Sequence, residues 1–246
     1  MATIYGSEFN DNNTYGPDGQ HHSSIYGSDQ GEEIYSKEGD DFVYAGAGDD
    51  YVDGWEGNDI LFGFQGNDVL VAWTGKDVLY GGTDQDWLDG SYDDDQLYGE
   101  EGDDILGNAF LQGEPGNDKM YGGRGNDELY GGDGDDLLNG YGGGSFYEHD
   151  TLMGGANADQ FILGTKETAF YFGNGNFSYA TVVDFHKSQG DKIQVYGVKN
   201  DYRLDTLQNF SGSSALDTAI YYKNDLIGVV EDKTYTSRSE LLTFIV

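Results

Sequence analysis

A nine-residue repeat constrains the fold of this 246-residue chain more strongly than any other feature. Between residues 36 and 162 an aspartate recurs at every ninth position, and an apolar residue follows each aspartate two positions later. Two insertions of five residues interrupt this spacing without changing the pattern. A period of this kind is typical of solenoids, in which every coil repeats one structural unit. The recurring aspartates are Asp41, Asp50, Asp59, Asp68, Asp77, Asp86, Asp95, Asp104, Asp118, Asp127, Asp136, Asp150 and Asp159.

Each repeat unit combines a turn with a short strand. Counted from the first turn residue, position four is mostly glycine, position five is mostly Asp or Asn, position six is the aspartate and position eight is apolar. Glycine, Asp and Asn tolerate the positive φ angles of tight turns. The apolar segment, for example residues 60–62, is too short for a helix but fits a strand whose middle residue faces inward. The pattern therefore predicts a parallel coil with two units per rung.

The charge of the chain indicates a metal. The sequence has 46 acidic and 12 basic residues, a formal net charge of -34, and no cysteine. Two units per rung would stack Asp41, Asp59 and Asp77 about 4.8 Å apart, so bare carboxylates would repel one another. A hard cation between successive turns removes that repulsion, and ligation by oxygen alone favours Ca²⁺ over Zn²⁺ or Cu²⁺. The negative charge argues against nucleic acid as a partner, and no apolar run is long enough for membrane insertion.

Two units, GGRGNDELY at 122–130 and GGDGDDLLN at 131–139, resemble the nonapeptide GGxGxDxUx of the RTX family, the hemolysin-type calcium-binding repeat proteins. The resemblance covers about half the chain. It implies an all-β fold, a right-handed parallel β-roll (a β-helix solenoid), with about six to nine Ca²⁺ ions at the usual ligand number. It also implies a stand-alone secreted bacterial protein, cyanobacterial-like, that a type I exporter carries out of the cell without a cleaved N-terminal signal.

The resemblance further implies a ligand set. In this family each Ca²⁺ lies between one loop and the loop two units later. The earlier loop offers its aspartate and the carbonyl oxygens of positions two and four, and the later loop offers its aspartate and the carbonyls of positions one and three. Besides the thirteen aspartates, the implied ligands are Lys37, Gly39, Gly46, Gly48, Gly54, Glu56, Gly57, Gly63, Gln65, Gly66, Ala72, Thr74, Gly75, Gly81, Gly82, Thr83, Asp84, Gly90, Tyr92, Asp93, Gly99, Glu101, Gly102, Gly113, Glu114, Gly116, Gly122, Gly123, Arg124, Gly125, Gly131, Gly132, Asp133, Gly134, Gly154 and Ala156.

Several features depart from the repeat. Trp55, Phe64 and Trp73 occupy position two, where the RTX pattern has glycine, and a bulky side chain at positive φ costs energy. The insertions also predict irregular pairing across them, above all between Asp127 and Asp150. We expect distortion in the three loops that hold the bulky residues, at 54–59, 63–68 and 72–77.

The charge distribution divides the chain. Residues 36–162 contain 30 acidic and 4 basic residues, whereas residues 163–246 contain 10 and 8. We therefore predict a degenerate N-terminal cap at 1–35, the RTX roll at 36–162 and a small β-rich C-terminal domain at 163–246. Its strands are predicted at 181–185, 193–196, 219–222 and 226–230. The closing residues ELLTFIV fit a core strand and, by resemblance to the family, a secretion signal.

An aromatic stripe is predicted on the outside of the roll. Position nine on one sheet reads Tyr44, Phe62, Tyr80, Tyr98 and Tyr121. A contiguous stripe of this kind indicates that something packs on it. The cap or C-terminal domain of the same chain could cover it, and so could a second copy or a surface partner.

Three functions follow from these features. The first is an extracellular calcium-binding repeat protein that folds when it binds several Ca²⁺ ions. The second is a surface or matrix protein that assembles or adheres through the aromatic stripe. The third is a secreted enzyme with its site in residues 163–246. It has the least support, because none of the four histidines stands in a catalytic motif. We therefore expect no enzyme activity and name no catalytic residue.

Overall fold

The structure, a computed structural model, describes residues 2–6, 14–15, 21–22, 24–107, 115–142, 147–164, 169–171, 178–206, 215–231, 233–235 and 237–245. Nearly all regular structure in these residues is β-strand. One short helix, α1 (Arg238–Leu241), and one 3-10 turn at Lys199–Asp201 complete it.

The strands follow the nine-residue period through most of the chain. They are β1 (Ala2–Tyr5), β2 (Thr14–Tyr15), β3 (His21–His22), β4 (Ile25–Tyr26), β5 (Glu32–Tyr35), β6 (Phe42–Ala47), β7 (Tyr51–Asp53), β8 (Ile60–Gln65), β9 (Val69–Val71), β10 (Val78–Thr83), β11 (Trp87–Asp89), β12 (Gln96–Glu101), β13 (Ile105–Leu106), β14 (Lys119–Arg124), β15 (Glu128–Asp133), β16 (Leu137–Tyr141), β17 (His149–Ala156), β18 (Gln160–Ile162), β19 (Tyr179–Val182), β20 (Lys192–Tyr196), β21 (Tyr202–Asp205), β22 (Thr218–Tyr222), β23 (Asp225–Val230) and β24 (Leu242–Ile245).

From β4 to β20, successive strands alternate between two sheets, whereas β2 and β3 pair only with each other. Sheet A has the order β1-β5-β7-β9-β11-β13-β15-β17-β19-β23-β22-β21, and sheet B has the order β24-β20-β18-β16-β14-β12-β10-β8-β6-β4. Within the repeat every pairing is parallel and joins equivalent positions two units apart, for example Val43 with Leu61 and Leu61 with Leu79. The predicted parallel β-roll with two units per rung is therefore confirmed.

The position-eight residues form the core between the two sheets. Each of the thirteen is no more than 2% exposed, from Val43 at one end to Phe161 at the other. Because full burial of a leucine side chain contributes roughly 1.5–3 kcal/mol, this column supplies the main apolar stabilisation of the coil. Their inward direction was predicted from the period and is confirmed.

Both sheets extend beyond the clear repeats. At the start, β4 and β5 pair in parallel with β6 and β7, and β1 pairs with β5. At the end, β19 and β20 add to β17 and β18, and β24 adds to β20. Sheet A then closes with the antiparallel strands β23, β22 and β21. The division into three domains stays a prediction, since the strands on either side of residue 162 belong to the same two sheets.

The loops that hold the bulky residues keep the regular geometry, so the predicted distortion is wrong. Trp55, Phe64 and Trp73 have φ angles of 71°, 81° and 76°, in the left-handed region that glycine adopts at the same position in other units. Phe64 pairs in register with Gly46 on one side and Gly82 on the other. The ladder thus keeps a positive φ at position two whatever the side chain, at 71° to 81° for the three bulky residues and 95° to 124° for the glycines.

Candidate metal-binding turns

The repeated aspartates form hydrogen-bonded ladders along the two edges of the roll. From Asp59 onward, the Oδ1 atom of each accepts a hydrogen bond from the backbone N–H of the aspartate two units earlier. Eleven such pairs occur, with N–O distances of 2.7 to 3.1 Å. The described aspartates of the repeat are all buried, none more than 6% exposed. The turn of each unit therefore places its carboxylate inside the roll and not in solvent.

The second carboxylate oxygen has no such partner. In the described part of the chain, ten of these aspartates have a buried Oδ2 atom that accepts no hydrogen bond. They are Asp50, Asp59, Asp68, Asp77, Asp86, Asp95, Asp104, Asp127, Asp136 and Asp159. A buried carboxylate oxygen without a partner is costly. At these ten aspartates a positive charge beside Oδ2 would offset that cost, and the described residues do not supply it.

The glycine at position one lets this oxygen approach into the space that a Cβ atom would need. A Cβ atom built on Gly54, Gly63, Gly81, Gly90, Gly99, Gly122, Gly131 or Gly154 would lie 2.2 to 2.6 Å from the Oδ2 atom of the aspartate in the same unit. A main-chain carbonyl of the next rung borders the same space, because the Cβ built on Gly131 would lie 2.4 Å from the Gly154 oxygen. Carboxylate and carbonyl oxygens around a small volume fit a hard cation such as Ca²⁺.

Burial raises the pKa of the repeated carboxyl groups well above the usual value of an aspartate. The pKa reaches about 6 for Asp50, about 7 for Asp68 and about 9 for Asp59 and Asp127. The hydrogen bond from the preceding aspartate's N–H lowers each pKa, and the stacked carboxylates raise it. A nearby cation would restore the charged form, so these groups are poised to exchange protons for metal.

The carbonyls at position three, which the resemblance names as ligands, take part in the ladder. The N–H at position four of one loop donates to the position-three carbonyl of the loop two units later, as from Gly48 to Gln65 at 2.8 Å and from Gly57 to Thr74 at 2.9 Å. A carbonyl oxygen has two lone pairs, so each keeps one for a metal. The ligand set as a whole stays a prediction, and Gly113 and Glu114 lie outside the described residues.

Side chains alone do not complete a metal site here. Within the described ranges, no group of three or more His, Cys, Asp or Glu side chains converges to hold a metal ion. Each pair of stacked turns provides two aspartates. Further ligands at these turns would have to be main-chain oxygens, as in the ligand set that the sequence implies.

The insertions leave the ladder intact, so the expected irregularity in pairing is not found. The backbone N–H of Asp127 donates to Asp150 Oδ1 at 3.0 Å, as in the uninterrupted units. One difference remains at this pair, because the buried hydroxyl of Tyr171 donates a hydrogen bond to Asp150 Oδ2. Asp150 thus has a protein donor where most other repeated aspartates have none.

Two residues that sequence reasoning missed continue the ladder at its ends. The Glu32 N–H donates to Asp50 Oδ1 at 2.7 Å, and the Asp159 N–H donates to Asp191 Oδ1 at 3.2 Å. Glu32 stands nine residues before Asp41, so the repeat frame contained the signal. Asp191 lies 32 residues after Asp159, and only the apolar Ile193 two positions later marked it.

Comparison with known families agrees with this geometry. The family model of the RTX calcium-binding nonapeptide repeat matches four segments, at residues 26–61, 56–79, 74–106 and 107–146. The chain belongs to the RTX calcium-binding repeat family. The matched segments begin at residue 26, within the predicted cap, so the RTX repeats start earlier than the sequence frame suggested. No curated protein matches this RTX chain. None of the described helices is long and apolar enough to span a membrane.

Proposed function

We propose that this RTX protein acts outside the cell as a calcium-binding module that folds when several Ca²⁺ ions bind. The observation that carries the proposal is the column of buried Oδ2 atoms without hydrogen-bond donors, eight of which lie beside a position-one glycine. These oxygens need a positive charge, and the surrounding donors are all oxygen. The ligand set is the one implied by the repeat, with two aspartates and up to four carbonyls per site. We propose about six to nine ions.

Calcium would decide whether the roll forms. At a Ca²⁺ concentration ten times the dissociation constant, each site adds roughly 1.4 kcal/mol to the stability of the folded state. Several sites together give on the order of 10 kcal/mol, which equals the whole stability of a typical domain. Without the metal, 30 acidic residues against 4 basic ones in residues 36–162 favour an expanded chain. An expanded chain suits passage through a type I exporter, and the extracellular fluid then supplies Ca²⁺.

The decisive experiment is a Ca²⁺ titration of the chelator-stripped protein, followed by circular dichroism and sedimentation velocity. We expect a cooperative gain of β-sheet signal together with compaction, and no such change with Mg²⁺ at equal concentration. Calorimetric titration in parallel would count the ions. A protein that is fully folded in chelator would overturn the proposal, because the roll would then stand without metal.

A second role, assembly or adhesion through the aromatic stripe, is supported by the half-buried state of its rings. Tyr44, Phe62, Tyr80, Tyr98 and Tyr121 each keep part of their surface exposed on sheet B. The same sedimentation run in Ca²⁺ tests this role. Association that grows with protein concentration and disappears in Tyr98→Ser would favour a structural or adhesive protein, whereas a monomer at all concentrations would argue against it.

A further inference from the structure

An aromatic cleft lies on the edge of the roll that follows β7 and β9. It has a volume of about 320 Å³ and is lined by Asp53, Trp55, Glu56, Trp73 and Thr74. Trp55 and Trp73 occupy position two of equivalent turns in neighbouring rungs, and their side chains remain 48% and 47% exposed. Two large apolar side chains are thus held half in solvent, side by side, around a carboxylate.

The backbone under both tryptophans is strained. Their φ angles of 71° and 76° lie in the left-handed region, where Gly46, Gly82 and Gly123 stand at the same position in other units. Phe64 is strained in the same way, but its ring packs on Phe62 and Tyr44 at centroid distances of 5.8 and 6.3 Å. The positive φ itself belongs to position two in general, because Lys37, Ser91 and Glu100 adopt it as well, at 79°, 66° and 79°. The cleft is distinguished by two tryptophan side chains that remain half exposed at such positions.

Asp53 provides a buried negative charge beside the tryptophans. It is 8% exposed, and its buried Oδ1 atom accepts no hydrogen bond from the described residues. Asp89 occupies the same position of sheet A two rungs away, but its Oδ1 atom accepts hydrogen bonds from the Ser91 N–H and hydroxyl at 3.0 and 3.1 Å. Burial raises the pKa of Asp53, and hydrogen bonds from Trp55 and Trp73 partly offset the rise. Asp53 therefore places a buried carboxylate in the lining of the cleft, held by hydrogen bonds from both tryptophans, with its Oδ1 atom left without a donor.

We propose that this cleft binds a methylated or quaternary ammonium cation between Trp55 and Trp73, with Asp53 and Glu56 as its counter-charges. The faces of tryptophan rings attract such cations, and the weak hydration of a quaternary ammonium suits apolar walls. A hard divalent ion would need six or more oxygen ligands, which two indoles cannot supply. A neutral sugar could stack on the rings, but it would leave the buried carboxylate without a counter-charge.

The test uses the calcium-saturated full chain and tetramethylammonium chloride as the probe. Two of the three tryptophans line the cleft, so intrinsic fluorescence reports binding directly. We expect a saturable change that sodium chloride at the same ionic strength does not produce. Trp55→Gly should weaken binding about tenfold or more while relieving strain. Asp53→Asn should weaken it similarly while keeping the shape of the carboxyl group.

Matched controls separate the cleft from general effects on the roll. Phe64→Gly relieves the same backbone strain at another turn, and Asp89→Asn removes a buried carboxylate that already has donors, so both should bind the probe like the parent protein. Unchanged binding by Asp53→Asn and Trp55→Gly would overturn the proposal, and so would a response to methyl glucoside without one to tetramethylammonium. Circular dichroism in Ca²⁺ verifies that every variant is folded.

The source of the cation is distinguished in a second arm. Co-sedimentation with phosphatidylcholine vesicles, lost in Trp55→Gly, would identify a choline headgroup on a lipid surface. Binding of free tetramethylammonium without co-sedimentation would identify a soluble methylated amine. Both outcomes support the same cleft chemistry, and the absence of binding to either probe contradicts it.

Discussion

At the scale of single residues, the geometry of the turn explains why the repeat needs both its glycine and its aspartate. The Oδ1 atom of the aspartate accepts a hydrogen bond from the backbone of the neighbouring rung, while the Oδ2 atom lies close to the position-one glycine, where a Cβ atom would clash with it. One carboxylate thus has a structural oxygen and an unsatisfied oxygen. The negative charge of this carboxylate destabilises the fold without a cation and stabilises it with one. Removing the charge should therefore raise the stability of the protein in chelator and lower it in Ca²⁺.

Asp68→Asn tests this reversal. The asparagine keeps an Oδ1 acceptor for the Asp50 N–H but carries no charge. We expect the variant to be more stable than the parent in chelator, and less stable by about 1–3 kcal/mol in saturating Ca²⁺. Chemical unfolding in both buffers measures the two differences. Asp49→Asn is the matched control, because Asp49 is an exposed position-five residue and Asn58 and Asn67 stand at that position naturally. Equal signs for Asp68→Asn in the two buffers would contradict the prediction.

Gly131→Ala tests the close approach of Asp136 Oδ2 and the Gly154 carbonyl to the position-one glycine. Its Cβ would lie 2.4 Å from both Asp136 Oδ2 and the Gly154 carbonyl oxygen, and the carbonyl cannot move without shifting the ladder. We expect the loss of one Ca²⁺ from the calorimetric stoichiometry and a loss of about 1–3 kcal/mol of stability in Ca²⁺. Ala72→Gly, at a position one that already holds alanine, should retain the parental stoichiometry. An unchanged ion count for Gly131→Ala would show that the cation site does not depend on this close approach of the two oxygen atoms.

At the scale of strands, the roll carries a continuous ring stack on sheet B. Tyr26, Tyr44, Phe62, Tyr80, Tyr98 and Tyr121 stack with centroid distances of 4.8 to 5.1 Å and interplanar angles below 10°. This distance matches the spacing of parallel strands, about 4.8 Å, so the register of the ladder alone places the rings in contact. The stack stabilises neighbouring rungs directly, whether or not a partner also covers it.

Tyr80→Ser separates these two contributions. Tyr80 stacks on both Phe62 and Tyr98, and each aromatic pair contributes about 0.5–1.5 kcal/mol. In Ca²⁺ we expect the variant monomer to lose about 1–3 kcal/mol of stability by chemical unfolding. Tyr26→Ser, at the start of the stack and 66% exposed, should lose less. Unchanged monomer stability with lost association by sedimentation would instead assign the stack to an interface between molecules.

The strands also show how far the sequence predicts the structure. The period alone predicted which side chains face inward, that strands two units apart pair, and that the aspartates stack in columns. Parallel pairing of identical units places equivalent residues next to one another, so these features follow from the spacing. The period could not predict that Asp191 continues the ladder, since 32 residues separate it from Asp159 and only pairing between β18 and β20 brings them together. The strands predicted at 193–196, 219–222 and 226–230 match β20, β22 and β23, whereas the strand predicted at 181–185 shares only residues 181 and 182 with β19. The antiparallel pairing of β21, β22 and β23 required the structure.

At the scale of the whole molecule, the sequence is most informative where charge and period coincide. A net charge of -34 predicted repulsion along the coil, and the structure places the repeated carboxylates inside it. The sequence could not predict the cleft at Asp53, because only the structure shows that Asp53 Oδ1 has no donor, whereas Asp89 Oδ1 accepts hydrogen bonds from Ser91. The same burial that positions the aspartates also makes the metal-free roll sensitive to pH.

The metal-free chain should therefore gain structure on acidification. Burial raises the pKa of the repeated aspartates to about 6 for Asp50 and about 9 for Asp59, Asp95 and Asp127, above the value of about 3.9 in an unfolded chain. The folded state thus binds more protons than the unfolded state, and its stability falls as the pH rises from about 4 to about 9. In chelator we expect more β-sheet signal by circular dichroism at pH 5 than at pH 8.

The calcium-saturated protein is the control, and it should show the opposite trend because protons compete with Ca²⁺ for the same oxygens. Equal signals at both pH values in chelator would mean that the carboxylates do not oppose folding, and the charge argument for calcium-driven folding would fail with them.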